Sequence, residues 1–164
     1  MMISRPILFF AILCAVITVA PGCKVKVGKP ETIESVPYTK AEQAAAVKSV
    51  QSFLSDMDSD RDGSWDDLSQ ILKASVAKFT WKATLTGFKV GFGKNLSRGK
   101  VQFACTDKIP DAPAGRYFIF DMESKFERAN VTERVVVARE GDGWKVAGYF
   151  RKKSIAFGNE KKTP

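Results

Sequence analysis

Residues 118–126 read Phe118–Ile119–Phe120–Asp121–Met122–Glu123–Ser124–Lys125–Phe126. Phe118, Phe120, Met122 and Phe126 fall on one side at period two, while Asp121, Glu123 and Lys125 share the other. Side chains along a strand alternate between faces, so this spacing predicts a strand with one buried and one solvated face. The period holds in both directions. Upstream, Val101, Phe103 and Cys105 alternate with polar residues; downstream, Val131, Val135 and Val137 mark a third strand, and Trp144, Val146 and Phe150 a fourth. Glu140–Gly141–Asp142–Gly143 reads as a hairpin turn with glycines available for positive φ. Residues 108–115 form a longer loop, and a four-stranded antiparallel meander follows.

Before residue 93 the period is helical. Thr39–Lys40–Ala41–Glu42 is a capping box, in which Thr39 satisfies an orphan amide and Glu42 reaches back. Val47, Val50, Leu54 and Met57 then recur at helical spacing, which predicts an amphipathic helix over 40–57. The run breaks at Asp58–Ser59–Asp60–Arg61–Asp62–Gly63. Ser64 with Asp67 restarts a helix, with Trp65, Leu68, Leu72, Val76 and Phe79 near one face. A third helix carries Trp81, Leu85 and Phe88 and ends in Gly91–Phe92–Gly93. Helices first, then a meander, is an α+β pattern in which N-terminal helices pack on one sheet face.

At the N-terminus, Arg5 precedes an almost unbroken apolar stretch from Ile7 to Ala20, and Pro21–Gly22–Cys23 follows. A charged start, a short apolar run and small residues at the cut are the plan of a secretory signal. The run falls short of the ~20 residues a spanning helix needs. Ala20–Pro21–Gly22–Cys23 resembles the lipobox of bacterial lipoproteins, although Leu is usual where Ala20 stands. That resemblance implies a signal peptide over 1–22 and palmitate-like acyl chains on Cys23, placing the protein in the bacterial envelope, membrane-anchored and facing the periplasm. Cleavage near Ala20 to give a secreted protein and an uncleaved N-terminal anchor are the alternatives. Residues 23–38, with Gly28, Pro30 and Pro37, read as a tether, residues 39–151 as the domain and residues 152–164 as a polar tail.

The chain has 164 residues and a formal net charge of +8; losing Arg5 with the leader leaves 25 basic against 18 acidic residues, or +7. There is no histidine. That removes His-based acid–base catalysis, Ser–His and Cys–His pairs, and His-containing zinc sites. With Cys14 discarded and Cys23 acylated, Cys105 is a lone thiol in an alternating run, expected to be buried and inert. No cofactor is implied.

Four features are candidates for chemistry. Asp58-x-Asp60-x-Asp62–Gly63 copies the first half of a calcium loop, but Ser69 stands where the bidentate glutamate belongs. An aspartate-rich turn capping two helices explains the same residues. Residues 71–108 hold eight bases against Asp107 alone. In an exported protein such a block fits anionic lipid or an acidic envelope polymer rather than nucleic acid, and a solvated lysine-rich surface explains it equally. Asp121 and Glu123 share a strand face as solvated carboxylates, which is poor ground for a glycosidase-type pair. Trp81, Phe118, Phe120 and Trp144 could line a pocket between helices and sheet, though aromatics so placed ordinarily build the core.

Ser64–Trp65, Leu68–Ser69, Leu72–Lys73, Lys78, Trp81, Gly93 and Ser97–Arg98 carry a wider resemblance. So do Pro113, Gly115–Arg116–Tyr117, Ser124–Lys125–Phe126, Glu133 and the closing run from Asp142 to Phe150. Over roughly residues 40–151 the chain resembles the bacterial domain-of-unknown-function family 4019. The resemblance implies an envelope location and a small α+β domain, and supplies no catalytic residues. The element order is similar to the cystatin-like cone of nuclear-transport-factor-2-like proteins, an analogy of fold alone. The expectation is therefore a non-catalytic envelope lipoprotein whose domain binds a small molecule or a protein. The alternatives are an enzyme using a cone cavity and a calcium-binding module.

Overall fold

The computed structural model describes residues 34–59 and 62–153. Two units divide the chain, Met1–Glu31 and Thr32–Pro164, and every described residue belongs to the second. The leader, Cys23 and the tail past Lys153 lie outside the described residues.

Among the described residues three α-helices precede four strands: α1 Lys40–Asp58, α2 Gln70–Ser75, α3 Lys78–Phe92, then β1 Asn95–Thr106, β2 Tyr117–Phe126, β3 Asn130–Glu140 and β4 Gly143–Lys153. The strands form one antiparallel sheet in the order β1-β2-β3-β4. The protein is α+β, as its periodicity predicts. At the start of α1 the capping box is complete: Thr39 N–H donates to Glu42 Oε2 at 2.8 Å and Glu42 N–H to Thr39 Oγ1 at 3.1 Å.

Ala46, Val50, Phe53, Leu54 and Met57 of α1 pack over Phe118, Phe120, Val135, Val137, Trp144 and Val146 on the inner sheet face. Removing each large apolar side chain from water contributes about 1.5–3 kcal/mol, so this layer supplies most of the driving force. At the hairpin end the outer face is covered as well. Tyr117, Ile119, Val136 and Ala138 are buried there beneath Ile71, Ile109 and Ala112. Residues 34–38, read as part of the tether, lie along the edge of β1: Val36 N–H donates to Cys105 O at 2.8 Å, and Tyr38 sits edge-on to Phe103 and Phe118.

Two expectations need correcting. A single helix from Ser64 to Phe79 does not form. Residues 62–65 make one 3₁₀ turn, and Leu68 then pairs with Val146 of β4 in a parallel bridge. Val146 N–H donates to Asp67 O and Ser69 N–H to Val146 O, each at 2.8 Å. Those sheet bonds occupy groups a helix would need, so α2 starts only after Ser69, which caps Leu72 N–H at 3.1 Å. Val76 ends α2 extended, and Phe79 is 83% exposed.

The second correction concerns β4. Val137 pairs with Val146 but Val136 with Gly148, so Ala147 is an extra residue and the strand bulges. A one-residue insertion inverts the facing of everything after it. Tyr149 and Arg151 therefore point inward, and Phe150 is 59% exposed. In the turn before β4, Gly141 alone takes positive φ (58°).

Candidate functional site

The bulge and the strand parity converge on Glu133. It stands between Val131 and Val135 on the inward face of β3, where its side chain is fully buried. A carboxylate there needs partners for both oxygens and its charge. It has them. Ser124 Oγ donates to Oε2 at 2.6 Å and Tyr149 OH to Oε1 at 2.5 Å. Arg98 Nε reaches Oε2 at 2.8 Å, and Arg151 Nε reaches Oε1 at 3.2 Å.

Arg98 continues outward, giving Nη1 and Nη2 to Asp58 at 2.6 and 3.1 Å. Two carboxylates and two guanidiniums thus form one balanced chain from the end of α1 to β4. Burial by itself would raise the Glu133 pKa, but the Arg98 charge and the bonds from Ser124, Tyr149 and Arg98 outweigh it and hold the carboxyl below its ordinary value. Glu133 stays ionised and has no proton to give. Tyr149 is pushed well above the usual phenol range by burial and by the Glu133 charge beside it.

Arg151 is also caged by rings. Its guanidinium carbon lies 4.4 Å from the centroid of Phe126, 5.0 Å from Phe88, 5.2 Å from Tyr149 and 5.8 Å from Phe92. Its Nη1 and Nη2 have no hydrogen-bond partner among the described residues. Next to this cage is a pocket of about 290 Å³ between the end of α1, α3 and the β1–β2 ends. Met57, Leu85, Phe88 and Phe126 supply apolar wall, Lys89, Lys94, Arg128 and Arg151 supply cations, Asp58 and Glu127 supply carboxylates, and Asn95 completes the lining. Asn95 Nδ2 is buried and meets no partner among the described residues. A buried donor left unpaired costs about 1–3 kcal/mol, so the position is held at some expense.

Trp81, Phe118, Phe120 and Trp144 are buried members of the main core, and none of them lines this pocket. Asp121 and Glu123 lie in a wider depression of about 740 Å³ on the open outer face, where Arg134 holds Asp121 by two 2.7 Å bonds. Asp58, first of the three calcium-loop candidates, spends both oxygens on Arg98; Asp60 and the side chain of Asp62 lie outside the described residues. Arg98 belongs to the basic block by sequence but turns inward. Cys105 is buried, and burial pushes its thiol pKa up.

Sequence periodicity missed the Glu133 cluster, although one signal was present: a glutamate at the inward parity of a valine strand. Arg98, Ser124, Glu133 and Tyr149 are all among the residues that carry the family resemblance.

No curated protein and no solved structure matches the chain. Residues 49–149, more than half of its length, match the family described as "Protein of unknown function (DUF4019)", and that stretch spans every member of the buried Glu133 cluster except Arg151. The chain belongs to this family.

Proposed function

We propose that the protein is an exported envelope lipoprotein, acylated at Cys23, whose folded part is a non-catalytic binding domain for a small organic anion with an apolar portion. The anchor rests on the leader and on Ala20–Pro21–Gly22–Cys23. The ligand class rests on one observation: Asn95, whose buried Nδ2 meets no partner among the described residues, lines a pocket in which Lys89, Lys94, Arg128 and Arg151 outnumber Asp58 and Glu127 and whose wall is aromatic and aliphatic. An anionic head would meet that cationic excess while its apolar part displaces water from Leu85, Phe88 and Phe126. The best-placed buried carboxylate, Glu133, is paired and ionised, which favours binding over proton transfer.

Calorimetry on the full chain with octanoate, octanol and octylammonium tests the ligand class. Octanoate should bind, with Asn95→Asp weakening it because a second anion faces the head group. Equal binding of all three, or of none, sinks the reading. Mass spectrometry of the mature N-terminus tests the anchor separately, and an unmodified start at Pro21 or later would overturn it.

A further inference from the structure

Arg98 and Arg151 approach Glu133 alike and differ in what their outer edges meet. Each reaches one Glu133 oxygen through Nε, at 2.8 and 3.2 Å. Arg98 then closes on a second carboxylate: Nη1 and Nη2 bond the two oxygens of Asp58 at 2.6 and 3.1 Å, fork to fork. On Arg151 the same edge meets no acceptor among the described residues, although its side chain is only 4% exposed. Glu133 balances the Arg151 charge, so what stands unmet is hydrogen-bond donors. Donors held out of water without acceptors are costly.

The surroundings of Arg151 fix which side of it can take a partner. Phe88, Phe92, Phe126 and Tyr149 pack around the guanidinium. They also brace one another, Phe88 lying 6.1 Å from Phe92 and 6.0 Å from Tyr149, and Phe92 6.1 Å from Phe126. Nε is tied to Glu133 and to the Tyr149 hydroxyl. The Nη1–Nη2 edge remains, and Arg151 lines the 290 Å³ pocket together with Phe88 and Phe126. The two carboxylates bordering that pocket are engaged: Asp58 is held by Arg98, and Glu127 Oε2 accepts from the Lys94 amide N–H at 3.1 Å.

We propose that Arg151 recognises the ligand's head, a carboxylate taken fork to fork by Nη1 and Nη2 as Asp58 is taken by Arg98. The alternation of carboxylate and guanidinium from Asp58 through Arg98 and Glu133 to Arg151 is thereby extended by one carboxylate. This rests on the anion-binding reading above and narrows it to carboxylic acids and to one binding residue. A cavity of this size is at the small end of ligand sites, so the occupant is a single short acid with its apolar body against Leu85, Phe88 and Phe126.

Calorimetry on the full chain compares octanoate binding by the wild type, Arg151→Lys and Lys94→Gln. Lysine keeps the charge but has no planar fork, so Arg151→Lys should weaken octanoate roughly tenfold or more, and Lys94→Gln by less than about threefold. Wild-type crystals soaked with 2-bromooctanoate give a second measurement that leaves Arg151 in place. The bromine, on the carbon next to the carboxylate, should lie beside the Arg151 guanidinium. Failure of octanoate to bind the wild type overturns this inference together with the anion reading beneath it. Undiminished binding by Arg151→Lys, or bromine beside Lys94 and Arg128 instead, overturns the Arg151 assignment alone. If Arg151→Lys does not fold, the bromine position decides.

Discussion

Arg98 bonds Glu133 through Nε at 2.8 Å while its two terminal nitrogens grip Asp58, so one guanidinium ties the buried centre of β3 to the last residue of α1. The contact joins residues 35 positions apart in sequence. It fixes α1 over the sheet by a directional device added to non-directional apolar packing. A buried charge held by two arginines contributes little net stability while intact, but removing one partner strands the others.

Glu133→Ala should therefore cost about 3–5 kcal/mol, as expected when a buried ion pair loses one member. Glu133→Gln keeps the shape and part of the hydrogen bonding and should cost less. Urea unfolding of both variants measures this, with the midpoint for Glu133→Ala the lower. Equal midpoints for the wild type and Glu133→Ala would show that the cluster relaxes freely.

Acid should act through the same group. The folded-state pKa of Glu133 is lowered from its ordinary 4.5, so between the two values the unfolded chain binds more protons than the folded one. Its contribution is therefore complete above about pH 4.5 and is lost as pH falls below that. Glu42, held down to about 2 by the Thr39 amide and by Arg116, adds a loss of the same sign as pH falls from about 4.5 towards 2. Stability measured from pH 7 to pH 2 should fall through this window, and Glu133→Gln should reduce that fall while leaving the Glu42 contribution.

Much of the architecture was legible because burial leaves a periodic trace. Phe118, Phe120 and Met122 mark β2, and Thr39 with Glu42 marks the start of α1, through rules that act within a few residues. What stayed hidden depends on distant partners. Nothing local to residues 64–79 announces that the backbone around Leu68 will bond to Val146 and interrupt the helix. Likewise the bulge at Ala147 is set by pairing with β3, and it alone exchanges Tyr149 for Phe150 on the inner face. The pocket by Asn95 is assembled from α1, α3, β1 and β2, so no single stretch describes it.

That exchange gives a sharp contrast between neighbours. Phe150→Ser changes a mostly exposed side chain and should alter stability by no more than about 0.5 kcal/mol. Tyr149→Phe deletes one hydroxyl but takes a donor from Glu133 and an acceptor from Arg151, and should cost about 1–3 kcal/mol. Thermal unfolding of the two variants distinguishes the bulged register from simple alternation, which predicts the reverse order.

The buried Cys105 thiol should resist alkylation. With no solvent exposure and a pKa raised by burial, it presents neither access nor thiolate. Peptide mapping after iodoacetamide should find Cys105 unmodified in native buffer and modified in urea. Rapid native labelling would mean that the edge formed by β1 and residues 34–38 opens readily.

Calcium poses the last question, because Asp58 cannot serve two masters. Both its oxygens are on Arg98, and the partner they would abandon is one that Glu133 holds in the core. A cation taking Asp58 as first ligand would leave the Arg98 terminal nitrogens unpaired, a penalty added to the absence of a bidentate ligand at Ser69. Calorimetry on the full chain should show no calcium heat at submillimolar concentration, and calcium should leave the melting temperature unchanged. Asp58→Asn should lower that temperature in calcium-free buffer, because it breaks the Arg98 bond. Stabilisation by calcium that disappears in Asp60→Ala would instead show that the loop trades the Arg98 bond for a metal.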